Sequence, residues 1–352
     1  MRSAVPGETV VISVISMYGN KMKFGYMLDF RNPPDSGIGA AEFHAAMLEQ
    51  VEYADRAGLD SIWLTEHHFV DDGYLAAVMP AAAVVAARTK RVTIGTYVLL
   101  APFYHPLRLA EDAAFIDVIS GGRLRLGIGL GYRGEEFDGF QVPIKERLGR
   151  TLETIDILKL AWTGEPFSYE GKFFRFRDAQ VLPRPVSRPH PELLWGGMNA
   201  QAIRRGARLG LSFACNLGKR EVEMYRTALL EFGRDPANFN IVNNRVVYVA
   251  DSEERAWKDI ERAAMYQAAL YDKWLSAAAD GGESPIRPDA DRIRHNAVLG
   301  PPAQVADRLK RVIDESPMTE LILATQLPGL APAKAMRSLE RFASEVLPHL
   351  RK

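Results

Sequence analysis

The sequence predicts an α/β fold, a (β/α)8 TIM barrel that extends as a single domain from residue 22 to residue 352. Short runs rich in β-branched and aromatic residues alternate with segments of helical period along this whole range. Eight such runs can be counted, and no linker-like change of composition separates them. A doubly wound open sheet is the alternative fold, but eight strands without a domain boundary favour a closed barrel.

The first half of the chain supplies four strand–helix pairs. The first predicted helix covers 40–57 and stops at Gly58, a residue typical of helix C-termini. Its apolar residues Phe43, Met47 and Ala54 fall on one face, which we expect to pack on the sheet. The predicted strands are 23–28, 61–65, 91–99 and 123–129, and the remaining predicted helices begin at Pro80, Pro106 and Glu146.

The alternation continues in the second half, but two longer segments interrupt it. The segment 163–191, after the fourth helix, is rich in proline and predicts a surface hairpin and loop. The segment 273–302, after the seventh strand, contains "DGGESPIRPDADR" and predicts a mobile lid. The predicted strands are 192–197, 212–216, 240–250 and 320–326, and the predicted helices are 200–209, 221–232, one that begins at Asp251 or Ser252, 303–315 and 333–346.

The amino-acid composition argues against several classes of function. The 44 basic residues cancel the 44 acidic ones, so nothing indicates binding to nucleic acid or to an anionic membrane. Cys215 is the only cysteine, which excludes an internal disulfide and a thiolate metal cluster. No apolar run approaches the roughly 20 residues of a membrane helix, and we expect a cytoplasmic protein. Residues 1–21 are expected to form a poorly ordered N-terminal extension.

The segment "LTEHHFVDD", Leu64 to Asp72, contains many candidate ligands and bases. Side chains of successive strand residues point to opposite sides, so His67 and His68 cannot both face one ion. The spacings that zinc sites use, with one residue between the ligands as in His-x-His or with ligands four positions apart, do not occur, and we expect no metal. Because the pair follows a strand C-terminus, where barrel enzymes carry their chemistry, one histidine is predicted to be catalytic.

Two glycine-rich segments also follow predicted strands. "GLGYRG", 129–134, fits a dinucleotide fingerprint, but a helix and a second strand do not follow at the required spacing, so we reject a Rossmann site. In "WGGMN", a strand ends at Gly196 and Gly197 and a helix begins near Asn199. This pattern predicts either a phosphate site at a helix N-terminus or a tight turn capped by Asn199, and the local sequence leaves both open. We expect the arginines of "RRGAR" to lie on the solvent-exposed face of that helix.

Together, "MKFGYMLDF", "GLDSIWLTEHHF", "IGTYVLLAPFYHPLRLAED", "DVISGGRLRLGIGLGYRGEEFDGF" and "LWGGMNAQAIRRGARLG" resemble the bacterial luciferase-like flavin monooxygenases. The resemblance implies a (β/α)8 barrel that receives reduced FMN from a separate reductase. It also implies that O2 is used to insert oxygen into a small apolar organic substrate. Two alternatives are a deazaflavin-dependent oxidoreductase, which transfers hydride without O2, and a non-catalytic flavin-binding barrel.

Several site residues are implied by this resemblance. The family's "EHHF" segment matches Glu66 to Phe69, which puts its catalytic histidine at His67 and leaves His68 structural. The segment "GTYV" matches a strand that lies against the isoalloxazine ring and implies a non-prolyl cis peptide between Tyr97 and Val98. The implied cofactor-binding residues are Thr96, Tyr97, Val98, Gly129, Gly131, Tyr132, Gly196, Gly197, Met198 and Asn199.

The chain departs from the family at the phosphate site. Leu130 occupies the position of a phosphate-binding arginine, so phosphate binding would depend mainly on backbone N–H groups. Aromatic residues on the predicted barrel rim indicate an apolar substrate pocket; they are Phe69, Tyr74, Phe103 and Tyr104. Small residues in "PAAAVVAA" permit close helix packing, and we expect a homodimer.

Overall fold

The computed structural model describes residues 21–197, 199–278, 286–315 and 318–351. Within these residues, eight parallel strands close into a barrel in the order β1-β2-β3-β4-β7-β8-β9-β11, and β11 pairs with β1. This confirms the predicted fold. The strands are β1 (Lys23–Leu28), β2 (Ser61–Leu64), β3 (Thr93–Leu100), β4 (Leu124–Gly129), β5 (Phe167–Glu170), β6 (Arg175–Ala179), β7 (Glu192–Trp195), β8 (Ser212–Ala214), β9 (Ile241–Val249), β10 (Val298–Gly300) and β11 (Glu320–Ala324).

Helices connect the strands and cover the outside of the barrel. They are α1 (Ala40–Arg56), α2 (Val78–Arg88), α3 (Pro106–Ser120), α4 (Gly134–Gly139), α5 (Arg147–Ala161), α6 (Ala200–Leu209), α7 (Lys219–Glu231), α8 (Glu253–Ala278), α9 (Ala290–Asn296), α10 (Pro302–Glu315), α11 (Pro332–Arg341) and α12 (Leu347–Arg351). The predicted apolar face of α1 is confirmed, since Phe43, Met47 and Ala54 are buried. No helix among the described residues is long and apolar enough to cross a membrane.

Charged residues fill the end of the barrel where the strands begin. Arg125 lies near the start of β4 and donates to Glu192 at 2.7 Å and to Glu320 at 2.6 Å. The indole N–H of Trp63 also donates to Glu320, at 2.6 Å. These side chains are buried, apart from the half-buried Glu192. This end of the barrel is therefore closed by a paired network, and the other end, where the strands finish, is left for ligands.

The two segments that were predicted to interrupt the strand–helix alternation have different outcomes. The segment after α5 forms the antiparallel hairpin of β5 and β6, as predicted. In the predicted lid, 273–302, the described residues form the end of α8, all of α9 and the short strand β10, which pairs with β9. The prediction of a loop there is therefore wrong for residues 273–278, where buried Trp274 continues the apolar face of α8. Residues 279–285, and the predicted extension apart from Lys21, lie outside the described residues.

Candidate active site

The two histidines that follow β2 bind different carboxylates. The Nδ1–H of His67 donates to Glu136 Oε1 at 2.8 Å, whereas Nε2 of His68 lies 3.0 Å from Glu66 Oε1. Only His67 faces the large cavity at the barrel mouth. The prediction that strand alternation separates the two side chains is therefore confirmed.

Glu136, on the short helix α4, holds His67 in place. Its Oε1 also accepts hydrogen bonds from the backbone N–H of His68 at 2.9 Å and from Arg133 at 3.2 Å. Burial alone would raise the pKa of Glu136, but hydrogen bonds and charge from His67, His68 and Arg133 outweigh it and lower the pKa. A carboxylate that stays ionised fixes the proton on Nδ1, so Nε2 of a neutral His67 is left to accept a hydrogen bond.

Aromatic rings enclose the other side of His67. The Tyr132 hydroxyl lies 3.4 Å from Nε2, and the rings of Tyr74 and Trp274 lie 4.9 and 5.0 Å from the imidazole centroid. Tyr74 follows β2, and Trp274 comes from α8. The Nε2 atom of His67 thus meets a tyrosine hydroxyl inside an aromatic enclosure.

Glu66 connects the segments that follow two neighbouring strands. Its Oε2 accepts the backbone N–H of Leu100 at 2.6 Å, and its Oε1 accepts the hydroxyl of Tyr104 at 2.6 Å. These bonds tie the end of β2 to the end of β3. Burial and the Glu66 charge both raise the pKa of Tyr104, so this phenol stays protonated.

A cavity of about 420 Å³ begins at His67 and extends across the ends of the central strands. It brings together most of the residues that the sequence predicts for cofactor binding. The predicted residues on its wall are His67, Tyr97, Val98, Gly129, Gly131, Tyr132, Gly196, Gly197 and Asn199. Met198 lies outside the described residues, and Thr96 is fully buried with its hydroxyl bonded to the Gly127 carbonyl at 2.8 Å. The structure does not bring Thr96 to the cavity.

The segment around Val98 has the predicted backbone geometry. The Tyr97–Val98 peptide bond is cis, as expected. A side chain at Gly129 would come within 2.5 Å of Val98, and one at Gly196 within 3.0 Å. A side chain at Gly129 would force Val98 to shift, and one at Gly196 would press tightly against it, so the packing of Val98 favours glycine at both positions, a reason that the sequence did not reveal.

Helix α6 begins at the far side of the cavity. The Asn199 side chain accepts the backbone N–H of Ala202 at 2.8 Å, which confirms the N-cap interpretation. Gly197 has a φ of 151°, and a side chain there would come within 2.7 Å of Ala202. The turn therefore brings backbone close to the cavity wall, while the binding of an anion by this helix remains a prediction.

Comparison with known proteins identifies the family. A family model described as luciferase-like monooxygenase matches residues 22–320. The chain belongs to this family. The match covers seven of the barrel strands and the first residue of β11, and it includes every residue of the site described above.

Relatives of this luciferase-like chain have more than one chemistry. The oxygenase component of a flavin-dependent trigonelline monooxygenase from Acinetobacter baylyi is 29% identical, with 87% of this chain and 90% of the relative covered. An F420-dependent glucose-6-phosphate dehydrogenase from Segniliparus rotundus is 31% identical, over 86% and 94% of the two chains. The solved structure of the monooxygenase RslO1 from Streptomyces bottropensis matches with a TM-score of 0.82 and 27% identity, over 93% and 99%. The family thus includes flavin monooxygenases and enzymes of F420, a deazaflavin.

Two arginines that sequence reasoning missed also line the cavity of this luciferase-like barrel. Arg147, at the start of α5, donates to the Gly131 carbonyl at 3.2 Å, and Arg205 lies on α6. The assignment of "RRGAR" to a solvated face is therefore wrong for Arg205, although Arg204 is exposed and paired with Glu231. Burial, and the charge of Arg208, lower the pKa of Arg205. In the sequence, only the three-residue spacing from Ala202 to Arg205 indicates that Arg205 lies on the cavity side of α6.

The structure does not bring three of the four rim aromatics that the sequence predicts for the substrate pocket of this luciferase-like chain to the cavity. Phe69 is 59% exposed with a φ of 54°, and its ring centroid lies 5.5 Å from that of Phe140. Phe103 stacks on Phe140 at 4.7 Å, and Tyr104 is bonded to Glu66. The turn after β2 sends Phe69 outward, so these residues form a cluster beside the mouth. Tyr74 does reach the cavity, where its hydroxyl lies 2.9 Å from that of Tyr271.

Proposed function

We propose that this chain is the oxygenase of a two-component flavin monooxygenase, which uses reduced FMN from a separate reductase and O2 to oxygenate an organic substrate. One observation carries the proposal: His67 is held by a buried carboxylate at one end of a cavity that reaches the N-terminus of α6. The flavin-monooxygenase relatives give it further support. An open cavity of about 420 Å³ also argues against a non-catalytic barrel.

The residues of the cavity fit the phosphate of FMN. Among the described residues, no carboxylate forms an ion pair with Arg147 or Arg205, although both line the cavity. Both arginine residues are half-buried on the cavity wall, and a phosphate dianion would give them the anion that they lack among the described residues. The N-terminus of α6 adds backbone N–H groups and a favourable dipole. Arg147 and Arg205 would thus compensate for Leu130.

When bound, reduced flavin would supply the reaction with O2. The chain itself would transfer the proton of the reaction. Nε2 of His67 can accept or donate a proton beside the cavity, while Glu136 keeps the imidazole ring oriented. General acid–base groups of this kind contribute about 10²–10⁴ in rate. Tyr271 and Trp274, both from α8, cover the site and would limit access of water. Cys215 also lines the cavity, but burial raises the pKa of its thiol to about 11, which keeps it protonated at neutral pH.

Equilibrium binding followed by oxygenation tests the proposal. Reduced FMN and reduced F420 are titrated anaerobically into the full-length protein, and bound reduced flavin is then mixed with isotopically labelled O2 and a panel of aldehydes, ketones and aromatic compounds. We expect tighter binding of FMN and labelled oxygen in a product. Preference for F420, with reduction of a substrate and no labelled product, would establish the deazaflavin alternative, which the 31%-identical relative favours.

The same proposal includes a homodimer. The outer surface of α2 and α3 exposes a group of apolar side chains, unlike the charged outer faces of most surface helices. This apolar face consists of Val84, Phe115, Val118, Ile119 and, from the neighbouring loop, Leu182. A second copy of the chain would bury it, which supports the expected use of this part of the barrel for dimerisation.

A further inference from the structure

A second lobe of the barrel mouth adjoins the cofactor cavity. It has a volume of about 360 Å³ and shares the walls formed by Thr65, Tyr74, Tyr97 and Tyr271 with that cavity. Gly197, Asn199 and Arg205, the proposed phosphate-binding residues, line only the first lobe. The second lobe has its own wall, formed by Met27, Asp29, Asn244, Val246, Gln267 and Ala268. A molecule in the second lobe would therefore lie beside a cofactor in the first.

Asp29, at the end of β1, is a buried carboxylate without a strong partner. Its Oδ1 accepts the backbone N–H of Arg31 at a long 3.3 Å, and the residue is only 8% exposed. The Arg31 guanidinium binds Asp72 instead, at 2.7 Å. No cation forms an ion pair with Asp29 within the described part of the chain. Burial outweighs the attraction of Arg31 and raises the pKa of Asp29 to about 6.

Two of the amide side chains on this wall, Asn216 and Asn244, are already bonded to each other. Asn216 donates to the side-chain oxygen of Asn244 at 2.7 Å, and the backbone N–H of Asn244 donates to Asn216 at 2.6 Å. Tyr97 also donates to Asn216, at 3.3 Å. Asp29 is thus the charged acceptor that faces the lobe with capacity to spare. A buried, unpaired carboxylate on the wall of a cavity is a common mark of a functional site.

We propose that the second lobe is the substrate subsite, and that the Asp29 carboxylate accepts a hydrogen bond from an N–H or O–H group of the substrate. The inference rests on the proposed function, because it takes the first lobe to hold the flavin. Met27, Val246 and Ala268 give part of the wall an apolar surface. The substrate class is therefore a small apolar molecule of about ring size that carries a hydrogen-bond donor.

Matched pairs of small probes test the inference without turnover. The pairs are naphthol with its methyl ether, and indole with N-methylindole, since the members of each pair differ only in the donor. Their dissociation constants are measured by ligand-observed NMR on the full-length protein, with and without saturating oxidised FMN. We expect the donor-bearing member to bind about 10- to 100-fold more tightly, because a carboxylate is a strong acceptor. In Asp29→Asn, this preference should shrink to about 3-fold or less.

The control variant is Asp71→Asn, which makes the same chemical change at an exposed position after β2 and should leave the preference intact. Thermal melts verify that both variants fold, and the wild-type comparison needs no variant at all. Equal binding within each pair, no binding by either member, or an unchanged preference in Asp29→Asn would each overturn the inference. FMN affinity is measured separately by flavin fluorescence. Loss of FMN binding with a preserved donor preference would therefore contradict the proposed function alone.

Discussion

Replacement of Glu136 by glutamine tests whether this residue positions His67 or only stabilises the fold. Glutamine keeps the shape of the side chain and one oxygen, but it removes the charge. In the wild-type protein Glu136 Oε1 accepts from His67, His68 and Arg133 at 2.8, 2.9 and 3.2 Å. The change therefore weakens three charge-assisted hydrogen bonds at once, within a buried group.

The size of the effect follows from these bonds. A hydrogen bond to a charged group contributes about 1.5–3 kcal/mol and a neutral one about 0.5–1.5 kcal/mol, a difference of about 1 kcal/mol for each bond. We expect the free energy of unfolding to fall by about 3 kcal/mol. Glu136 Oε2 has no hydrogen-bond partner among the described residues, so the new amide group adds a cost of its own there.

The activity effect separates the two roles. If Glu136 positions His67, Glu136→Gln should slow turnover by about 10- to 100-fold while leaving the affinity for FMN within about 2-fold. Stopped-flow measurement of O2-dependent reoxidation of bound reduced FMN, with and without substrate, gives the rate. The control is Glu135→Gln, because Glu135 is exposed and its one ion pair within the described ranges is with Arg133, at 3.9 Å. A Glu136→Gln protein that is less stable but reacts at the wild-type rate would refute the positioning role.

Three further variants test other parts of the site and surface. Arg205→Met should weaken FMN binding by about 10-fold or more in fluorescence titrations, and Arg204→Met, on the exposed side of α6, should not; equal losses would contradict the phosphate assignment. Phe115→Glu should convert a dimer into a monomer in light scattering, since it charges the apolar face at a residue 53% exposed, and an unchanged mass would exclude that face. Asp29 has a pKa raised from 3.8 to about 6, so the wild-type protein loses stability as pH rises through this window. Denaturant unfolding should find Asp29→Asn more stable by about 1–3 kcal/mol near pH 7.5, with the difference shrinking near pH 4, and a constant difference would contradict this.

The barrel itself could be predicted because its strands carry strong local signals. All eight barrel strands were identified, since each is a compact apolar run between helical segments. The missed strand β10 has only three residues, and its pairing with β9 depends on the closed barrel. Local pattern also separated His67 from His68, because alternation along an extended chain is a property of neighbouring residues.

The parts of the site that depend on distant contacts could not be predicted. Glu136 lies 69 residues after His67, and nothing near either residue indicates that they meet. Arg204 and Arg205 are adjacent and chemically identical, yet helical phase places one in solvent and the other in the cavity. Phe69 was misplaced because its φ of 54° turns the chain away from the barrel axis. Each of these outcomes is set by tertiary packing rather than by residue type.

The two ends of the barrel use the same residue types in opposite ways. At the closed end, Arg125 forms ion pairs with Glu192 and Glu320, so carboxylates of the chain itself compensate its charge. At the mouth, neither Asp29 nor Arg205 forms an ion pair among the described residues, although the charge of Arg31 acts on Asp29. Charged side chains without an ion pair reduce the stability of the fold unless a bound molecule supplies a partner for them. Because the two have opposite signs and lie in different lobes, a phosphate is attracted to one and repelled by the other, so the charges themselves would decide which molecule occupies which lobe.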